Sequence, residues 1–406
     1  MEIDYEQRNK DLQELINRDW KDKVGLTIAK LMEFYVRTKG NCYLSCSGGT
    51  DSIVLYDICK KVEQMNGWKF KVVFSDTGLE EPTVRATALA IPEITVVRPE
   101  MSFLEVLSKK GYPIVSKEVS ECVNNARKHL TGEGTTDTSN KSVDWMNLPQ
   151  RVQKILGKLA DKRGIPDKSR FNRQKYKPLI NAPFRISNEC CNIMKKKPLS
   201  KIEEKPIIAT MTEESENRKT AWLKTGCNSF EGKVASRPMS FWTKQDVLNY
   251  VKYYNIKVAD CYGEVIPVDK DNKPTFEETK DHYMFSGVQR TGCIYCMFGS
   301  HLDTQKGGIS RFELLRRTQP QLFDYCMKGG KFDAEGLWIP HNGLGMAFVI
   351  EWLNRNLSKT LKNGSVSKFM KGIDLSNYKE QIDKAFEELE KIEDTRKKWL
   401  WLVIQK

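Results

Sequence analysis

The sequence predicts an α/β fold with a parallel-sheet core, a helical N-terminal lead-in and a helical C-terminal extension. Three observations carry this. The apolar run Cys42 to Cys46 passes through a glycine turn into an amphipathic stretch, and the same strand, loop and helix order returns from Phe70 to Leu89. Both ends of the chain instead place apolar residues at helical spacing. Repeated strand–loop–helix units are what a parallel sheet requires, because its strands are joined by helical crossovers and its ligands sit at the carboxyl ends of the strands.

The elements follow in order. Tyr5 to Arg37 holds Leu12, Leu15, Ile16, Val24, Ile28, Leu31, Met32, Tyr35 and Val36 at helical spacing, giving one or two lead-in helices read as scaffold. After the first strand and a helix from near Asp51 come a strand at Phe70–Phe74, a helix near Glu81–Leu89 and a strand at Ile94–Val97. Ser102 is a cap for the next helix, and Tyr112 to Lys117 leads into a helix over Glu118–Leu130. Residues 131–142, rich in Gly, Ser and Thr, read as a loop or insertion tip, followed by a basic helix from Trp145 to about Arg163. Pro206–Thr210 reads as a strand, and Thr243 begins a helix. Amphipathic helices are expected near Ser310–Met327, Met346–Leu357 and Tyr378–Val403. The motifs between positions 47 and 296 must converge, so the expected organisation is a lead-in over 1–40, an α/β domain over 41–300 with a basic insertion at about 131–205, and an extension over 301–406.

Ser47-Gly48-Gly49-Thr50-Asp51-Ser52 is a candidate phosphate site. Two glycines let the backbone approach an anion, and the following helix offers unpaired N–H groups and the positive end of its dipole. Ser47, Thr50 and Ser52 add hydroxyls, and no lysine follows the second glycine as in a Walker-type loop. The segment resembles the SGGxDS loop of the PP-loop superfamily (adenine nucleotide alpha hydrolase-like), which cradles the pyrophosphate of ATP or the phosphates of a sulfonucleotide. Asp76-Thr77-Gly78, after the second strand, resembles the DTG of the phosphoadenosine phosphosulfate (PAPS) reductase branch, where that loop lies beside the nucleotide. Read by itself, Asp76 could equally be a helix cap. Pro113 to Lys117 resembles a family segment near the substrate, so Lys117 could meet a phosphate or simply start a helix at the surface. In the family a loop after the strand corresponding to Pro206–Thr210 carries an arginine pair and ends in a further arginine. Here Met211 and Thr212 replace the pair and only Arg218 keeps its place.

The eleven cysteines are odd in number, and the acidic, polar start Met1-Glu2-Ile3-Asp4 is no secretory leader, so a reducing cytoplasm is expected rather than a disulfide framework. Cys190-Cys191 and Cys293-Ile294-Tyr295-Cys296 could together supply four thiolates to a tetrahedral metal or a cubane cluster. The pattern and its flank, with Lys195 and Pro198-Leu199, resemble the 4Fe-4S binding pattern of assimilatory adenylylsulfate reductases. Zinc is the alternative, with His301 and one upstream cysteine completing Cys293 and Cys296. Cys42, Cys46 and Cys59 read as packing residues. Cys227, Cys261 and Cys326 read as core or surface residues, with Cys227 kept as a substitute ligand. Arg290 could reach the nucleotide or offset the charge of a thiolate-bound cluster.

The net charge of +13 is concentrated: residues 151–205 hold sixteen Lys and Arg against five Asp and Glu, with Phe171, Tyr176 and Phe184 interleaved. Such a block suits a polyanion such as nucleic acid, and equally a solvated face or a phosphate lining. No stretch approaches 18 apolar residues, so no membrane span is expected.

The resemblance implies an adenine-nucleotide-dependent enzyme of sulfur metabolism. Sulfonucleotide reductases use a Cys-Gly-x-His cysteine near their end, which this chain lacks. The expectation is therefore an AMP-forming ATP pyrophosphatase with a 4Fe-4S cluster, like those of DNA phosphorothioation or PP-loop tRNA thiolation, with a sulfur donor protein such as a cysteine desulfurase. Gly48 and Gly49 would bind pyrophosphate, Ser47 and Ser52 would donate hydroxyls, Asp51 would hold Mg2+, and Lys117 and Arg290 would stabilise the transition state. Two alternatives stand beside it: a PAPS or adenylylsulfate reductase using Cys326 or a partner thiol, and a non-catalytic nucleotide- or nucleic-acid-binding module.

Overall fold

In the computed structural model, strand β1 (Cys42–Ser45) lies inside a six-stranded sheet and is parallel to a neighbour on each side. The structure describes residues 4–131, 148–159, 172–269, 271–275, 282–305, 308–360 and 365–404. These form two compact units, each built from two stretches of chain: Met1–Glu100 with Lys195–Cys293, and Met101–Met194 with Ile294–Lys406.

The first unit holds the sheet. Helices α1 (Tyr5–Ile16) and α2 (Trp20–Arg37) precede β1. After it come α3 (Thr50–Asn66), β2 (Lys71–Ser75), α4 (Pro82–Leu89), β3 (Thr95–Val97) and β4 (Lys205–Ile208). The short pair β5 (Asn228–Ser229) and β6 (Ala235–Ser236) completes the sheet in the order β3-β2-β1-β4-β6-β5. All neighbours are parallel except β5 and β6. β1 is buried on both faces, which is why Cys42, Tyr43 and Leu44 read as a continuous apolar run instead of alternating. Cys46 and Cys59 are buried in the same core, as is Cys227, whose sulfur accepts the Trp222 indole N–H at 3.3 Å. Two lead-in helices form, each opened by an aspartate, Asp4 or Asp19, whose carboxylate accepts first-turn N–H groups.

The strand expected at Pro206–Thr210 is displaced to Lys205–Ile208, because pairing with Cys42 through Ser45 sets its ends. Thr243 caps the helix Lys244–Tyr253 in a reciprocal capping box with Asp246. Asp246 also takes the buried Lys23 ammonium of α2 at 2.7 Å, tying the lead-in to the start of that helix.

The second unit is mainly helical. Ser102 and Glu105 form a capping box on Phe103–Lys110, and Lys117–Thr131 follows. The Arg127 guanidinium donates to the carbonyls of Leu179, Ile180, Ala182 and Phe184, holding the 3-10 segment Gln174–Asn181 and its exit. The basic helix expected from Trp145 to Arg163 is corrected among the described residues to Gln150–Leu156, which starts after Pro149 and ends because Gly157 turns left-handed at φ 73°. Most of the loop expected at 131–142 lies outside the described residues, as do Lys162, Arg163, Lys168, Arg170 and Phe171 of the basic block. The expected helix 310–327 is two helices, Arg311–Thr318 and Pro320–Met327. Pro320 has no N–H to continue the first but fits the opening turn of the second. Met346–Leu357 forms as expected, and Lys379–Ile404 closes the chain.

Gly48 is one place where the fold constrains the sequence tightly. Its φ is 77°, and a Cβ there would stand 2.2 Å from the Val84 carbonyl of α4, a backbone atom with no flexible escape. Gly48→Ala should therefore lose about 2–4 kcal/mol by urea unfolding, from left-handed strain plus overpacking. Gly67→Ala, at φ 67° with open space around it, should lose only about 1–2 kcal/mol. Equal losses would contradict the close-approach argument.

Candidate active site

The chain runs from β1 to β2 and β3 on one side, while the later strand β4 pairs with β1 on its other side, so the strand order reverses there and a crevice opens at the carboxyl ends. A cavity of about 270 Å³ occupies it, floored by Ser45, Ser47, Gly49, Thr50, Asp51 and Ser52 from the β1–α3 turn and walled by Ile208 and Ala209 from the end of β4. Glu214, Arg218, Lys244, Tyr262, Gln289, Arg290 and Thr291 complete the lining.

The turn is held by Ser52. Its hydroxyl donates to the Gly49 carbonyl at 2.8 Å and accepts the Ser47 N–H at 3.1 Å, while Ser52 and Ile53 N–H groups close on the same Gly49 carbonyl. Thr50 and Asp51 open α3, where N–H groups have no carbonyl four residues back. The Ser47 hydroxyl lies 3.3 Å from that of Ser52. Gly48 turns toward α4 and is not part of the lining.

Charge in the cavity is mixed. Asp51 Oδ1 is buried and has no hydrogen-bond partner among the described residues; the Lys244 ammonium stands 3.8 Å from it, an ion pair beyond hydrogen-bonding range. Burial pulls the Lys244 pKa down, partly offset by Asp51 and Glu213. Burial also lowers Arg218, with Arg290 repelling it, and Arg218 pairs with Glu214. The Tyr262 hydroxyl meets Thr291 Oγ1 at 2.8 Å, and burial raises its pKa. Such a set suits a polyanion carrying its own cation: hydroxyls, helix-opening amides and three basic side chains for the anion, a carboxylate for the metal.

Asp76, Thr77 and Gly78 do not line this cavity. Asp76 is almost fully buried, accepts Arg85 at 2.8 and 2.7 Å, lies 3.4 Å from Arg98 Nε, and takes the Gly78 N–H at 3.3 Å. Thr77 bonds Glu80 through its N–H at 3.2 Å and its hydroxyl at 2.7 Å. Lys117 belongs to the second unit, at the first turn of its helix.

Of the cysteine pairs, Cys190, Cys191 and Cys296 fall in the second unit, while Cys293 is the last residue of the first. Cys190 and Cys191 lie on a short helical turn continued by a π-helical turn at Asn192–Lys196. His301, half-buried and stacked on the Phe369 ring at 4.8 Å, has an Nδ1 without a hydrogen-bond partner among the described residues, and burial lowers its pKa. Four thiols suit a cluster or zinc in donor chemistry. As the described residues stand, no group of three or more His, Cys, Asp or Glu is placed to hold a metal ion.

Many described cations of the basic block hold carboxylates. Arg151 pairs with Glu121, Lys154 and Arg173 with Glu118, Arg185 with Asp333 and Glu335, Lys195 with Glu80, and Lys201 with Glu100. No helix among the described residues is long and apolar enough to cross a membrane.

Residues 137–297 match the phosphoadenosine phosphosulfate reductase domain. The matched segment holds Cys190, Cys191, Arg218, Lys244, Arg290, Cys293 and Cys296, and leaves the 47–52 turn outside it. None of the curated proteins compared matches the chain.

Lys244, Glu214, Tyr262, Gln289 and Thr291 are cavity residues that sequence reasoning missed. Lys244 carried one signal: a cation at the first residue of a helix opposes the dipole, which favours acids there. Tyr262, Gln289 and Thr291 carried none.

The Asp76–Arg85 pair makes a pH-dependent contribution. Arg85, by hydrogen bonding, is the main reason the Asp76 pKa lies below its ordinary value. A folded-state pKa below the unfolded one contributes stability that is present above about pH 4 and is lost as pH falls through the folded value. Arg85→Ala should cost about 1–3 kcal/mol at pH 7, and the deficit should begin to shrink as pH falls below about 4 toward the lowered folded-state value, as Asp76 takes up a proton. A deficit constant from pH 7 to 3 in denaturant titrations would contradict this origin.

Proposed function

We propose that this chain is an adenine-nucleotide-dependent enzyme of sulfur chemistry that cleaves ATP between its α- and β-phosphates, releasing pyrophosphate and transferring AMP to an acceptor oxygen. The observation that carries the reading is the cavity itself: the Ser47–Ser52 turn at the switch point between β1 and β4, lined also by Arg218, Lys244 and Arg290, with an Asp51 Oδ1 that has no hydrogen-bond partner among the described residues. The helix-opening amides of α3 would take the pyrophosphate, and Arg218 and Arg290 would offset charge developing as it leaves. Asp51 would hold Mg2+, which when bound neutralises the separating phosphates.

Two features support ATP cleavage over sulfonucleotide reduction. Met211, where the reductase branch carries an arginine, is buried in the core. Cys326, the alternative nucleophile, is wholly buried and burial raises its thiol pKa far above the range where thiolate is available. A thiolate-ligated 4Fe-4S centre on Cys190, Cys191, Cys293 and Cys296 belongs to the proposal as a structural or redox group, with zinc as the other metal those donors suit. A sulfur donor protein would supply the sulfur.

Anaerobically purified protein should carry about four iron atoms, lost on replacing Cys190 and Cys191 with serine, and should form AMP and pyrophosphate from ATP and Mg2+. Asp51→Asn should reduce AMP formation by at least about 100-fold with its melting temperature unchanged. Unchanged turnover removes Asp51 from its role, sulfite release from a sulfonucleotide favours the reductase, and nucleotide binding without turnover favours a binding module.

The acceptor is proposed to be nucleic acid, docking on the 151–205 block. Binding to DNA or RNA should weaken steeply between 50 and 200 mM salt, with a log–log slope on the order of −4. Binding that is absent at low salt, or indifferent to salt, counts against a polynucleotide acceptor.

A further inference from the structure

Lys244 is placed against the preference of its own position. It is the first residue of a ten-residue helix, where unpaired N–H groups and the dipole favour an acid. Its backbone is nonetheless fixed: its N–H donates to Glu213 at 2.6 Å, the preceding Thr243 is locked to Asp246, and Asp246 is locked to buried Lys23. The long side chain then crosses to the cavity and stops 3.8 Å short of Asp51 Oδ1, which has no hydrogen-bond partner among the described residues. A cation and an anion held close but not in contact, from separate elements of one cavity, leave each able to take a different partner.

We propose that Lys244 is the polyphosphate-gripping cation of this cavity, serving in place of the lysine that Walker-type loops carry on the loop itself, with Asp51 as its placeholder until a divalent cation arrives. The inference rests on the nucleotide reading of the cavity and adds a partner exchange to it. When a divalent cation occupies the Asp51 carboxylate, the Lys244 ammonium is released to a phosphate oxygen, so metal and phosphate enter together. Without the metal, Asp51 competes with phosphate for Lys244.

Inorganic pyrophosphate binding, measured by calorimetry on the full chain with and without Mg2+, tests this separately from turnover. In metal-free buffer Asp51→Asn should bind pyrophosphate more tightly than the unaltered protein, and Lys244→Met should bind it about 10- to 100-fold more weakly. The double variant should show none of the gain from Asp51→Asn. Lys244→Arg should recover part of the loss, and melting temperatures should show that each variant is folded. Lys244→Met that is folded and binds pyrophosphate as the unaltered protein does would overturn the proposal, as would a gain from Asp51→Asn that survives in the double variant. Lys244-dependent binding with no AMP formed would sink only the ATP-cleaving reading. Undetectable binding of both pyrophosphate and Mg-ATP by the unaltered protein would sink both.

Discussion

The candidate site depends on one constraint: β1 is paired in parallel on both sides, and the chain leaves it toward β2 while β4 comes from elsewhere. Helices crossing to opposite sides cannot cover the end of β1, so the turn after it faces a crevice. That turn has little freedom. α4 presses on Gly48 from behind, and the Ser52 hydroxyl closes the front by bridging Ser47 and Gly49. The amides at the start of α3 are therefore oriented before any ligand arrives, which is the form in which backbone dipoles stabilise an anion at least cost.

Cations reach this turn from other connections. Arg218 comes from the helix after β4, Lys244 from the helix after β6, and Arg290 from near the end of the first unit. Arg218 is met by Glu214, and Lys244 by Asp51 and Glu213, so a ligand taking either cation must rearrange partners rather than simply add one. The lead-in helix α2 takes part through Lys23, because the buried Lys23–Asp246 pair fixes the cap from which Lys244 projects. A residue read as scaffold thus positions a cavity residue, and breaking such a buried pair leaves an uncompensated charge.

Features written in a few consecutive residues were legible. The glycine turn, the Ser102 and Thr243 caps and the Met346–Leu357 helix formed where the sequence placed them, since caps and left-handed turns are local chemistry. Pro320 was an available signal for the break in 311–327 that amphipathic spacing alone overrode. The basic block shows the opposite limit. Its excess charge is plain in the sequence, but the carboxylates of Glu118, Glu121, Asp333 and Glu335 that meet it come from distant positions.

By itself, then, the sequence determined the α/β class, the glycine turn of residues 47–52 that opens a helix, and most helix boundaries, because each rests on neighbours in the chain. Only the tertiary structure decided that Asp76 serves Arg85 and Arg98 outside the cavity, that Met211 belongs to the core, and that Lys244 reaches Asp51. Those outcomes are contacts between residues separated by up to about two hundred positions, set by strand order and helix packing, which no local pattern of residues encodes.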